Sequence, residues 1–148
     1  MDNIPAIATY ERVQSLVVQL KEAENIFYGD SHMSFDKLTS HLSVEATDIL
    51  RAYIDQRKHG ITDGENTKAA LVELITHLQS IEKITITTAI DLSNDFVSKL
   101  HTWLQKNLGT RVAIECFVDK NILGGLVIWW RGRYIDLSLK PRMAHTYN

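Results

Sequence analysis

Lys83-Ile84-Thr85-Ile86-Thr87-Thr88-Ala89-Ile90 is where this 148-residue chain changes its period. Ile84, Ile86, Thr88 and Ile90 fall on every second position and β-branched side chains dominate, the pattern of a strand with one buried face. Upstream, apolar residues recur every three or four positions instead, which is helical spacing. The chain therefore reads as two regions of different architecture, 1–80 and 81–148.

Working upstream, Ile7, Tyr10, Val13, Val17, Leu20 and Phe27 mark a first helix over residues 5–27, with Pro5 tolerated in its first turn. Gly29-Asp30-Ser31 breaks it. Ser34 can cap a short helix carrying Phe35 and Leu38. Ser43 precedes Ile49, Leu50, Tyr53 and Ile54, a pattern that runs out at His59-Gly60. Residues 63–66 read as a turn, and residues 68–79 put Leu71, Leu74, Ile75 and Leu78 on one stripe. The expectation for 1–80 is a reduced helical bundle.

Working downstream, Ser93 is placed to cap a helix carrying Phe96, Leu100, Trp103, Leu104 and Leu108 and ending at Gly109. Val112, Ile114, Cys116 and Val118 alternate as a second strand. Residues 119–125 connect to a third, 126–130, and Arg131-Gly132 turns a hairpin into residues 134–137. Residues 81–148 are thus a β-α-β-β-β domain, one helix on a small sheet. The fold class is α+β.

Composition sets the outer bounds. With 45% hydrophobic and 23% charged residues the chain is ordinary globular protein, far from the disordered range. No apolar run approaches a bilayer span. The first eight residues carry Asp2 and no basic cluster, so a cleaved signal is not expected, and a single cysteine suits a reducing compartment. Residues 1–80 hold 12 acids against 7 Lys and Arg, a balance of −5; residues 81–148 hold 6 against 9, a balance of +3. Opposite potentials on the two halves suit different partners.

Equipment for chemistry is scarce. The six histidines pair with no other His or Cys at ligand spacing, so no metal is expected. Cys116 reads as a buried, inert thiol on a strand face. There is no GxSxG, Walker loop or GxGxxG. Gly124-Gly125 reads as a conformational device at a strand entrance, needing positive φ or close backbone approach. No catalytic residue and no cofactor follow. Trp129-Trp130 with Arg131 and Arg133 is different. Successive strand residues face opposite ways, so at most one indole lies on the core and the other is free to anchor a partner. Base stacking on the same residues would make the chain an RNA-associated α/β module, against which the acidic first half argues. A generic protein adaptor is the other alternative; an enzyme is the weakest.

Residues 83–142 resemble the C-terminal region of the ATP synthase delta family, called oligomycin-sensitivity-conferring protein in mitochondria. Residues 84–89 followed by Leu92-Ser93 resemble the family's strand and its "TTA-x-x-LS" helix start. Lys99-Leu100 through Leu104, with Lys106-Asn107-Leu108-Gly109, is similar to "KL…LEKKLG". Residues 111–119 resemble "KVELEVKVD". Residues 123–128, then Tyr134-Ile135-Asp136, Ser138 and Arg142, are similar to "IGGIVI…VIDGSVRGRL". Pro141 and Leu137 depart from glycines of that pattern. Residues 42–81 look like the last two helices of the family's N-terminal bundle, with residues 57–61 in place of "ENGRL". Ahead of them stand one clear helix and a short piece, where the family has four.

What the resemblance implies is a non-catalytic stator subunit of a proton-translocating ATP synthase. It would link the catalytic hexamer to the peripheral stalk so that proton-driven rotation is coupled to synthesis. The helical half would receive the N-terminal helix of an α subunit, in a groove placed between Tyr10, Val13 and Val17 and Ile49, Tyr53 and Ile54. The bland reading is that these six only pack on one another. The C-terminal half would meet the b subunit through Trp129, Trp130, Arg131 and Arg133. One copy per complex, no nucleic acid, and membrane contact only through the complex at the cytoplasmic face of a bacterial cell membrane complete the expectation.

Overall fold

The structure, a computed structural model, describes residues 7–30, 33–56 and 64–139. Element order is α1 (Tyr10–Gly29), α2 (Phe35–Thr39), α3 (Val44–Gln56), α4 (Gly64–Gln79), β1 (Glu82–Thr88), α5 (Asn94–Leu108), β2 (Val112–Val118), β3 (Leu126–Trp130) and β4 (Arg133–Asp136). Helices thus precede a small mixed sheet, an α+β arrangement. By its internal contacts the chain divides into two units. One holds Arg12–Ser80 with Ile7, and the other holds Ala8–Glu11 with Ile81 onward.

In the first unit, α1 buries Val13, Leu16, Val17, Leu20, Ala23 and Phe27, an unbroken three-four stripe. Ser34 caps α2 by accepting from the Lys37 amide at 3.4 Å, and Ser43 Oγ accepts from the Ala46 amide at 3.2 Å. Leu38 on α2, Leu50 on α3, and Leu71, Leu74 and Leu78 on α4 are completely or almost completely buried. Each such leucine is worth about 1.5–3 kcal/mol over an exposed one. Packing, more than propensity, holds these short helices.

Two boundaries differ from the sequence reading. The first helix begins at Tyr10, because Ala8 and Thr9 are extended. The Ala8 carbonyl accepts from the Ile114 amide at 2.9 Å, and Thr9 bridges Ile114 in parallel. A sheet edge has taken the hydrogen bonds that a helical turn would have used. The segment expected to turn at 63–66 is helical from Gly64, with Glu65 in the first turn where an anion suits the helix dipole. The end at His59-Gly60 and residue Pro5 lie outside the described residues.

In the second unit the strand order is β2-β1-β3-β4, with β1 and β2 parallel and both other pairings antiparallel. The parallel pair needs a crossover, and α5 supplies it. Ser93 caps α5 by accepting from the Phe96 amide at 3.3 Å, and Gly109 closes it at φ 63°, left-handed. The helix packs Val97 and Leu104 on Ile84, Ile86, Val112 and Ile114. His101 is also buried there, its Nε2 2.8 Å from the Val112 carbonyl oxygen. Because that oxygen can only accept, Nε2 carries the proton. His101→Leu keeps the bulk but strands the carbonyl, and should lower stability by about 1–3 kcal/mol in urea unfolding. His101→Gln, still a donor, should recover part of the loss.

The hairpin is one residue tighter than its reading from sequence. Trp130 pairs with Arg133 across a two-residue turn, so β4 starts at Arg133. Arg131 and Gly132 have φ 49° and 74°, both positive as a type I′ turn requires. Gly132 meets this freely. Arg131 does not, and left-handed backbone costs such a residue about 1–2 kcal/mol.

Candidate functional site

The hairpin holds its arginine in that conformation through Glu82, the first residue of β1. Trp130 Nε1 donates to Glu82 Oε2 at 3.0 Å and Arg131 Nε donates to the same oxygen at 2.8 Å. Arg131 Nη2 donates to Oε1, and the guanidinium carbon lies 4.7 Å from the centroid of the Trp130 ring. The carboxylate is thus held by a fork on one side and an indole on the other, and that fork geometry is specific to arginine.

Arg131's hydrogen bond is the main cause that holds the Glu82 carboxyl below the usual carboxylate range. Partial burial opposes it and Trp130 adds to it. A carboxylate shifted down stabilises the fold above its unfolded value of about 4.3 and loses that contribution as pH falls through the lower folded value. Glu82→Gln should therefore lower the melting temperature at pH 7 and reduce its further fall on acidification. Thermal melts of both proteins across pH 3–7 check this.

The four residues expected at the b interface separate into distinct surroundings. Trp130 faces the core side of the sheet and packs against Ile84 and its neighbours. Arg131 is engaged with Glu82. Trp129 lies on the opposite face, 52% exposed, edge-on to Tyr134 with ring centroids 6.2 Å apart. Arg133 is exposed too, but as the register partner of Trp130 it lies on the core side of the sheet. The Trp129–Tyr134 pair, aromatic and open to solvent, has the composition of an interface anchor.

The six residues expected at the α groove are mostly occupied. Val13, Val17, Ile49 and Ile54 are buried. Tyr10 and Tyr53 stay partly accessible; Lys83 Nζ sits 5.2 Å from the Tyr10 ring, and Tyr53 donates to Glu73 Oε2 at 3.2 Å. The helical unit instead exposes Val18, Val44, Val72 and Tyr28, and Lys68 Nζ lies over the Tyr28 ring at 3.8 Å. Sequence spacing did not single these out, since each lies off the main stripe.

Cys116 requires a correction. It is exposed, not buried. The face assignment from alternation holds, for Cys116 pairs with buried Ile86. But α5 covers only the first half of β2, where Val112 and Ile114 are buried, and leaves 116–118 open. Partial burial still pushes the thiol up, so it is a poor nucleophile at neutral pH. Among the described residues no group of three His, Cys, Asp or Glu could hold a metal ion. None of the described helices is long and apolar enough to cross a membrane.

Comparison with known proteins adds to this geometry. The family model described as "ATP synthase delta (OSCP) subunit" matches residues 11–147. The ATP synthase subunit delta of Rubrobacter xylanophilus is 29% identical over 135 residues, covering 84% of this chain and 74% of that protein. The protein of the same name from Desulfovibrio desulfuricans is 30% identical over 109 residues, covering 74% of this chain and 60% of its own length. For a third, from Marinobacter nauticus, the identity is 35% over 88 residues, 54% of this chain and 49% of that one. The chain thus spans between about half and three-quarters of these curated relatives. A chain in a cryoEM structure of Polytomella F-ATP synthase aligns with 45% of this chain and 85% of its own, at 25% identity and a TM-score of 0.38, too loose a likeness to carry an argument.

Proposed function

The chain belongs to the ATP synthase delta (OSCP) subunit family, and from that premise we propose that it is a non-catalytic connector of the stator. It links the catalytic hexamer to the peripheral stalk, so that rotation driven by protons is spent on synthesis and does not turn the hexamer. The observation that carries the reading is a family match running through both units, over residues 11–147. The separate surfaces of the two units support it, one helical and acidic, the other a sheet with an aromatic–arginine hairpin.

In this reading the helical unit receives an amphipathic helix, the N-terminal helix of an α subunit. Four of the six groove residues are filled by the unit's own packing and Tyr10 belongs to the other unit, so the contact falls on Tyr53 and on the exposed Val18, Val44 and Val72. The hairpin receives the b subunit through Trp129, with Tyr134 beside it on the same face. Trp130 and Arg131 shape the hairpin from within. The complex sits at the cytoplasmic face of a bacterial membrane, with one copy of this chain and no membrane contact of its own.

A pull-down of the purified chain against α N-terminal and b C-terminal peptides tests this. Both are expected to be retained, and Trp129→Ala with Tyr134→Ala should cut b capture about tenfold while sparing α capture, the effect of two anchor residues worth near 1.4 kcal/mol together. If neither peptide is retained, the stator reading is wrong.

A further inference from the structure

Main-chain pairing between β1 and β3 stops short of the hairpin tip. The last ladder pair is Thr85 with Trp129, so Trp130 and the turn extend past the paired part of β1. Burial does not hold β4 either, for all four of its residues are exposed. A strand with no buried face takes its register and twist from its turn. That turn is strained at Arg131, whose left-handed backbone an unconstrained arginine avoids. Neither the ladder nor the core selects it.

The side chain of Glu82 spans the gap. Its main-chain amide is spent on β2, donating to the Arg111 carbonyl at 3.0 Å. Its carboxylate takes the Trp130 indole and the Arg131 guanidinium, and the Thr110 hydroxyl lies 3.5 Å from Oε1. The α5–β2 connection and the hairpin tip thus converge on one carboxylate. A type I′ turn matches the twist of its strands, whereas Arg131 in right-handed backbone would give a type I turn, which splays them. Tyr134, two residues past the turn, is among the first to be displaced. It stands across the sheet from Glu82. Glu82 alternates with Ile84 on the core side, as Trp130 does, while Trp129 and Tyr134 pair on the outer face.

We infer that Glu82 is a positioning residue for the Trp129–Tyr134 pair: from the core side of the sheet, through Trp130 and Arg131, it fixes the turn that sets the two rings edge to edge on the other side. It touches no partner seated on that face. The consequence for b capture rests on the stator reading, whereas the placement of the rings does not.

NMR of the full chain reads the pair directly. Trp129 and Tyr134 are a non-hydrogen-bonded antiparallel pair, with Cα atoms about 4.5 Å apart, which gives a strong Hα–Hα cross-peak. Glu82→Gln keeps the length and an acceptor for the indole, and removes the charge that holds the fork. It should weaken that cross-peak about threefold or more while the β1–β2 cross-peaks persist. Arg131→Asn makes the turn Asn-Gly, which adopts type I′ unaided. Added to Glu82→Gln, it should restore the cross-peak. Should the Glu82→Gln chain not fold, Arg131→Ala removes the fork from the other side and carries the same expectation. In pull-downs with the b C-terminal peptide, Glu82→Gln should weaken capture about tenfold, and adding Arg131→Asn should bring it back to within about twofold. A merely structural role would give no such rescue. An unchanged cross-peak with Glu82→Gln overturns the inference, as does a loss that persists with Arg131→Asn. So does capture at full strength by a chain whose cross-peak is lost. If no version of the chain captures the peptide, yet the cross-peak is lost and rescued, the stator reading falls and the positioning role stands.

Discussion

Gly125→Ala should unfold the second unit at a much lower temperature than any other single methyl added to it. A Cβ at this position would lie 2.3 Å from the Leu137 carbonyl oxygen and 2.9 Å from the Ser138 Cα, and φ is already +74°. Both obstacles are backbone, so no side chain can swing aside. The segment cannot easily retreat either. The Leu137 amide donates to the Leu126 carbonyl at 2.9 Å, and the Leu139 amide reaches the carbonyls of Leu123 and Gly124. A left-handed alanine costs about 1–2 kcal/mol and overpacking about 1–3 more. The sum, about 2–5 kcal/mol, is a large share of an ordinary domain's stability. Gly124→Ala meets only the half-exposed Leu139 side chain, Cδ1 at 3.0 Å and Cγ at 3.5 Å. Its cost should stay near the 1–2 kcal/mol of the backbone alone. All three tryptophans belong to the second unit, so their fluorescence follows its unfolding selectively. Equal midpoints for the two alanine variants in urea would refute the argument from backbone contact.

Trp130→Ala is the second large effect, and it bears on how partner binding is interpreted. Removing this indole takes a half-buried ring from the core side, a donor from Glu82 and the surface on which Arg131 stacks. About 2–4 kcal/mol should go, most of it packing. Trp129→Ala removes an exposed ring and should cost under about 1 kcal/mol. The pair separates fold from docking. Loss of b capture with Trp130→Ala should track the unfolded fraction, whereas loss with Trp129→Ala should occur in a fully folded chain. A Trp130→Ala protein that melts like the unaltered one would show that the Glu82 cluster does not hold the hairpin.

Much of the fold was legible because local chemistry and period agreed. The alternation beginning at Ile84, the serines at 34, 43 and 93, and Gly109 each solve a local problem in only one way. Gly124-Gly125 declared a backbone need, and the structure supplies both positive φ and close approach. Arg131-Gly132 marked the turn, but the strand boundary shifted by one, because a type I′ turn counts only two central residues.

The surfaces were less legible. Spacing identified Val13, Val17, Ile49 and Ile54 as one apolar face, and the same spacing serves a groove and a core alike. Only tertiary packing distinguishes them, and it buries all four. Cys116 was placed on the right face with the wrong burial, since alternation says which way a side chain points and nothing about where the helix above it ends. The edge bond from Ala8 joins residues more than a hundred positions apart, beyond any periodic signal.

The uncovered end of β2 has a practical corollary. Cys116 is the chain's single thiol and stands in solvent. A maleimide dye would attach there alone, with no other cysteine to engineer away, and fastest in mildly alkaline buffer because ionisation of the sulfur is held back. Labelled in this way, the chain becomes a fluorescent reporter on its outermost long strand. Tumbling of the dye should slow measurably whenever a larger body settles over that end of the sheet.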